Sequence, residues 1–420
     1  MKKAVVITPA RARSVVLHAA GLSKPGQFGK GREAVFKYIA HLGFLQIDTN
    51  YVVERAHHHS IWSRVPDYEL EWLFELQDEG RIFEFWTFAS GFMPMEDFRF
   101  SFPVKEALTE RRKSVTQKEQ NLMNQILDRV SREGPLMARD FENDRETKST
   151  GWWDWRPSKV ALERLHSAGQ LISTRRRDFQ KVYDLPENVV SADVDQTWPT
   201  PEEFARHMIR GSLRAWGIGN PKDVAYRGRY VKNNLIKTEL KKMVDEGEVC
   251  EVEIRGIKLP ALYMLSDYQK RKISVSGDVF ILSPFDVLNV LRHRLKNFFD
   301  FDYQVECFVP EKKRKFGYFA LPLLHGDTFI GRMDAKADRK EDTLIVNYLH
   351  FENSSLNAAV IKKLANAIRG YAKFNGCKQV IFTRTNEKKL QAALTDQLTD
   401  ITMPSTQQGR KAKVGRAKKK

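Results

Sequence analysis

Gln46, Ile47 and Asp48 form the short constellation in this chain most capable of chemistry. In an extended backbone residues i and i+2 project from one face, so Gln46 and Asp48 make a paired amide and carboxylate while Ile47 turns into the core. Such a pair can hold one water: the carboxylate accepts its proton or stabilises a nearby positive charge, and the amide fixes its orientation. Taken alone, the pair also suits the polar end of a strand. His57, His58 and His59 form a second cluster. Three consecutive side chains cannot all face one metal, and no Cys, Asp or Glu partner stands at ligand spacing, so the reading is polar surface or phosphate contact, with no metal. Cys250, Cys307 and Cys377 lie far apart, so neither a disulfide framework nor a zinc site is encoded, and reduced thiols in a cytoplasm are expected. Phosphate-cradling glycine loops, a Gly-x-Ser-x-Gly elbow and a His-Glu-x-x-His motif are all missing, which removes the usual hydrolase and ATPase signatures.

The elements that must position such a pair show an internal repeat. Leu136 to Phe141 reads as a short helix, and Ser158 as the cap of a second, with Val160, Leu162, Leu165 and Ala168 at helical spacing. A hairpin follows, with a basic turn at Arg175, Arg176 and Arg177 before the strand-like Phe179 to Leu185. Pro221 to Tyr226, a helix through Leu235 to Val244, and a hairpin from Val249 to Leu265 with its turn at Arg255 and Gly256 repeat the order. Helices over Gln117 to Arg132 and Pro201 to Trp216 precede the two copies. Helix, turn, helix and hairpin is a winged helix, in which one helix enters the major groove while the wing follows phosphates.

A third unit is expected at the N-terminus, with Thr8-Pro9-Ala10 starting one helix and Gly31 to Leu42 forming another that Gly43 ends. The aromatic-rich Asp67 to Gln77 and Ile82 to Phe92 read as an added helical layer. Near the other end, Asp302 to Phe308 and Gly317 to Leu321 read as strands paired around a basic tip of Lys312, Lys313, Arg314 and Lys315. Strands at Thr328 to Met333, Leu344 to Leu349 and Gln379 to Thr383, with a helix over Ser355 to Phe374, complete an α+β unit.

Charge points to the partner. With 70 Lys and Arg against 53 Asp and Glu over 420 residues the net charge is +17. Seven of those charges lie in an acid-free tail from Pro404 to Lys420, expected to be flexible, which leaves +10 on the body and favours a polyanion. Pro9, Arg11 and Arg13 interrupt the first apolar stretch before it reaches signal-peptide length, so no secretion is expected. No apolar run approaches the ~20 residues of a membrane helix.

The chain resembles the AlkZ/YcaQ-like family of bacteria, winged-helix DNA glycosylases that remove N7-alkylated guanine and unhook interstrand crosslinks. The resemblance is carried by Leu45 to Asp48, Glu54 to His59, Trp62-Ser63-Arg64, Gly151 to Trp155, Phe179 to Pro186, Leu282 to Asp286, Gly317 to Phe319, and Gly331-Arg332 with Asp334, Lys336, Ala337, Asp338 and Arg339. It implies an α+β fold of three tandem winged-helix units with a C-terminal β-rich α+β region, C-shaped around a concave DNA channel. The implied division is 1–110 with the Gln-Ile-Asp motif, 111–195, 196–275, 276–400 and a disordered basic tail at 401–420. It implies that Gln46 and Asp48 position the attacking water in the Asp form of the family motif, a branch associated with broader acceptance of nitrogen-mustard-type lesions.

DNA contacts are expected from His57, His58, His59, Arg64, Arg175, Arg176, Arg177, Lys312, Lys313, Arg314 and Lys315. The expected protein is a cytoplasmic, nucleoid-associated monomer that needs no cofactor and acts on double-stranded DNA carrying alkylated or crosslinked guanine. Neither motif residue is an amine nucleophile, so base excision without Schiff-base strand cleavage is expected. The alternative is a non-catalytic multi-winged-helix transcriptional regulator, which would have no use for the Gln-Ile-Asp pair.

Overall fold

A computed structural model describes residues 3–111, 115–141, 155–176 and 179–401. The basic tail from Pro404, Arg177, Trp152 and Trp153 lie outside the described residues. The helices begin where local capping chemistry dictates. Thr116 with Glu119, and Thr200 with Glu203, close capping boxes at the starts of Gln117–Glu133 and Pro201–Trp216. Thr8 accepts the Arg11 N–H at 3.1 Å to start Pro9–Ala19. Ser158 is not a cap: Pro157 takes the first helical position of Pro157–Ala168 and Ser158 is buried inside the first turn.

The second repeat adopts the expected order, whereas in the first Leu136 to Phe141 is not a short helix: Leu136–Met137 is a strand paired with Val182–Asp184, and only Ala138–Asp140 turns, as a 3-10 helix. Helices Pro201–Trp216, Pro221–Arg227 and Asn233–Glu246 lead into the hairpin Val249–Ile254 and Ile257–Leu265. That hairpin is the middle of a four-stranded sheet whose edges are Val5–Ile7, parallel to Val249–Ile254, and Ile218–Gly219. The helices Gln117–Glu133 and Pro157–Ala168 precede the shorter hairpin Ile172–Ser173 and Val182–Asp184.

The N-terminal region corrects one expectation. Ile82 to Phe92 is not a helical layer but most of a β-hairpin, Ile82–Trp86 and Ser90–Pro94, which pairs with Leu45–Gln46. The run is too short and too uniformly apolar for periodicity to separate helix from strand. With helices Gly31–Leu42, Ala56–Trp62 and Glu71–Asp78, this hairpin completes a third helix, strand, helix, helix, hairpin order. Its wing joins the wing of the next unit in one six-stranded sheet through the pairing of Glu84 with Ser173.

Glu84 is buried at that seam and takes Arg176 Nη2 at 2.6 Å and Nε at 2.8 Å. Burial alone would raise its carboxyl, but Arg176 and Lys181 reverse the sign and hold it down to about 2. The C-terminal region is a five-stranded sheet, Val279–Ile281, Ala320–His325, Thr328–Asp338, Thr343–Phe351 and Gln379–Phe382, backed by the helix Ala358–Phe374. Among the described residues no helix is long and apolar enough to cross a membrane.

Candidate functional site at the Gln46 and Asp48 pair

Gln46 ends the short strand Leu45–Gln46 opposite Gly91, and the Ile47 N–H donates to Ser90 O at 2.8 Å, so the extended path continues to Asp48. Ile47 is buried as alternation requires, while Gln46 and Asp48 are half-buried on the other side. Both flanks are anchored. Leu45 and Ile47 sit in the N-terminal core, whereas Val53 is fully buried in the core of the C-terminal sheet. The Ala337 N–H donates to Val52 O at 2.8 Å, which ties the segment after the motif to the strand Thr328–Asp338. The pair is therefore clamped between two separately packed bodies of the fold.

The Asp48 carboxylate accepts the Asn50 N–H at 2.7 Å. Burial raises its pKa above the ordinary Asp value, and the Asn50 N–H opposes that only in part. Among the described residues no ion pair forms at Asp48, whereas Glu84, Asp223 and Asp286 are matched by Arg176, Arg294 and Arg64. Gln46 lines a cavity of about 30 Å³ together with Tyr38, Phe44, Trp216, Arg227 and Phe285. That is room for a water molecule. Tyr38 and Trp216 carry buried donors, Oη and Nε1, without a protein partner among the described residues.

Three groups around the pair escaped the sequence reading. Tyr51 is held between the guanidinium groups of Arg55, 4.2 Å from its ring centroid, and Arg339, at 3.5 Å. Cys307 lies within electrostatic reach of Asp48: burial first, then the Asp48 carboxylate, push its thiol up, while Arg314 and Arg292 oppose. Phe308 follows it, exposed to solvent, with its ring 6.4 Å from that of Phe285 on the cavity wall. The one available signal was Tyr51, an aromatic three residues past the motif.

The expected DNA-contact residues divide. His57, His58, His59 and Arg64 are buried and do not form a DNA-facing surface. Burial pushes His57 well below its ordinary value, His58 to about 3 and His59 to about 4, so none offers a cation to phosphate at neutral pH. His58 Nδ1 is 2.6 Å from Tyr68 Oη, and His59 Nε2 is 2.9 Å from Ile281 O. Arg64 places its guanidinium on Asp286, Ala20 O and Ser63 Oγ, joining the helix Ala56–Trp62 to the segment that follows the strand Val279–Ile281 of the C-terminal sheet.

Arg175 and Arg176 are committed as well. Arg175 pairs with Glu71 and Asp78, and Arg176 with Glu84, so this wing turn is stitched to the preceding unit instead of trailing along phosphates. Lys312, Lys313 and Lys315 are exposed, and Arg314 is half-buried with its Nε donating to Val309 O at 2.8 Å. They do not cap a β-hairpin. Glu306–Phe308 before them and Glu311–Lys313, which holds Lys312 and Lys313, are 3-10 turns in a loop, and the Glu306 carboxylate takes the Lys315, Phe316 and Gly317 N–H groups that a strand partner would need.

The sequence matches the family described as "DNA glycosylase AlkZ-like" over residues 39–374. The fold is similar to that of the Streptomyces sahachiroi DNA glycosylase AlkZ, with a TM-score of 0.60 and 13% identity, covering 90% of this chain and all of that one. At that identity the likeness is one of fold, an α+β architecture related to the winged-helix one seen there.

Proposed function

This chain belongs to the DNA glycosylase AlkZ-like family, and from that premise we propose that it is a monofunctional glycosylase hydrolysing the N-glycosidic bond of N7-alkylated guanine in duplex DNA, interstrand crosslinks included. The observation that carries the proposal is the Gln46 and Asp48 pair: an amide beside a cavity the size of a water and, two residues on along the same extended segment, a half-buried carboxylate with no cation partner among the described residues. Brought against a polyanion, such a carboxylate is unfavourable unless the complex supplies positive charge. N7-alkylguanine and the oxocarbenium-like sugar left as it departs supply it.

The chemistry follows from that charge. The C1′–N9 bond breaks, and its electron pair neutralises the cationic purine, which leaves without protonation. Asp48 stabilises the sugar cation, accepts a proton from water, and the water oxygen bonds to C1′. Gln46 orients that water, beside a cavity with room and donors for one. No general acid is required, and no amine enters the reaction, so the product is an abasic site in an unbroken strand.

The test is incubation with duplex DNA containing N7-methylguanine, followed by heat and alkali to reveal abasic sites. Time-dependent release of N7-methylguanine is expected. Tight binding to such DNA with no base released, and preference for one operator sequence, would replace this reading with that of a regulator.

Affinity in this proposal comes from exposed cations, among them Lys312, Lys313 and Lys315 on the loop that carries Cys307 and Phe308. Their simultaneous replacement by Ala is expected to flatten the dependence of log Kd on log salt by up to about 0.9 per lysine on duplex DNA. An unchanged slope would remove these residues from the interface.

A further inference from the structure

Among the described residues Phe308 is the most exposed of the large hydrophobic side chains, at 76%. Scattered surface apolar residues need no explanation, but this one differs in where it stands and how it is held. Its backbone belongs to a loop closed by one buried side chain. The Glu306 carboxylate accepts the N–H groups of Lys315, Phe316 and Gly317 at 3.0, 2.8 and 3.0 Å. Arg314 Nε returns to Val309 O at 2.8 Å and to Glu306 O at 3.2 Å, and the Val309 N–H closes on Glu306 O at 2.9 Å.

Gly317 completes the closure at φ +124°, where a Cβ would lie 2.3 Å from the Asp334 carboxyl carbon. Asp334 itself accepts the Phe319 N–H at 2.7 Å. The loop is thus braced at both ends, and main-chain geometry sets where the Phe308 side chain leaves it.

The surroundings state what the ring meets. Cys307 beside it feels the Asp48 carboxylate, and Phe285 behind it lines the cavity shared with Gln46. Lys312, Lys313 and Lys315 on the same loop are exposed, and Tyr318, 39% exposed, carries the Arg314 guanidinium 4.9 Å from its ring centroid. An exposed aromatic on a braced loop that also carries exposed cations fits a polyanion that also offers aromatic faces. Duplex DNA opened at a base step is such a partner, since apolar side chains that enter the stack do so next to phosphate-binding cations.

We propose that Phe308 is a stacking wedge: it enters the duplex beside the Gln46 and Asp48 pair and unstacks the step at which the target sugar is presented. The partner is taken from the glycosylase reading above, while the wedge rests on the loop. Insertion makes the target sugar accessible without swinging the base into a closed pocket, which a crosslinked guanine cannot do.

The experiment uses the full chain and a duplex with 2-aminopurine opposite a tetrahydrofuran abasic analogue, so that no turnover is needed. Wild type and Phe308→Leu are expected to raise 2-aminopurine fluorescence several-fold on saturation, and Phe308→Ala to leave it near the free-duplex level. On N7-methylguanine duplex Phe308→Ala is expected to release base at least about tenfold more slowly, the magnitude of losing one stacked ring. Its thermal midpoint stays at the wild-type value because the ring is solvated. A fluorescence rise with Phe308→Ala equal to wild type, or no rise with wild type, overturns the wedge. Should wild type release no base yet raise the fluorescence in a Phe308-dependent way, the wedge stands and the glycosylase reading falls.

Discussion

Asp48→Asn is expected to slow base release from N7-methylguanine duplex by about a hundredfold to ten-thousandfold, the range for loss of a positioned acid or base group, with little change in DNA affinity. The substitution keeps the Asn50 N–H acceptor in place and removes only the charge. Single-turnover release under saturating enzyme isolates the chemical step, and a filter-binding titration on the same duplex reports affinity. The pH profile supplies an independent readout. Burial raises the Asp48 carboxyl above its ordinary value, and only the ionised form accepts the proton from water. The rate therefore climbs with pH through an apparent pKa above 3.8 and then levels, and this acid limb disappears in Asp48→Asn. A profile with the same limb in both proteins would assign it to another group, and loss of folding in the variant would make Asp48 structural.

Much of the scaffold around that pair was legible in the sequence because its signals are local. Capping residues, Pro at the first helical position and Gly43 in the left-handed region mark helix ends within a few residues, and the helix Pro201–Trp216 runs between the two residues its cap and periodicity indicate. The alternation that buries Ile47 and turns Gln46 and Asp48 to one side is likewise a two-residue property.

What escaped the sequence reading was long-range. His59 meets Ile281 O and Arg64 meets Asp286, each 222 residues away, so a basic run that reads as DNA-facing becomes internal wiring. The aromatic hairpin of Ile82–Trp86 and Ser90–Pro94 took its outer pairings from Ser173 and Leu45–Gln46 respectively. Glu306 was unremarkable in sequence, yet its carboxylate decides that Lys312 to Lys315 sit on a closed loop instead of a strand-borne tip. At His59, Arg64 and Glu306 one buried polar group demands a partner, and periodicity carries no information about which one it finds.

Arg64 turns that reassignment into the second large expected effect. Its guanidinium is 0% exposed and gives Nη2 to Asp286 Oδ1 at 2.8 Å and Nε to Ala20 O at 3.0 Å. Asp286→Ala would leave this cation buried without its counter-charge, which destabilises by about 3–5 kcal/mol in comparable buried pairs. A marginally stable fold holds only about 5–15 kcal/mol, so the variant is expected to unfold at a much lower urea concentration or to accumulate poorly. Arg64→Met with Asp286→Leu removes both charges and is expected to recover a substantial part of the loss, because the desolvation of both ions is removed together. DNA affinity of the folded double variant, measured at low temperature, is expected to match wild type, since neither side chain reaches the surface. If Arg64→Met instead keeps the wild-type urea midpoint and loses affinity for duplex DNA, Arg64 contacts the backbone in a conformation other than this one, and the helix Ala56–Trp62 must move to let it do so.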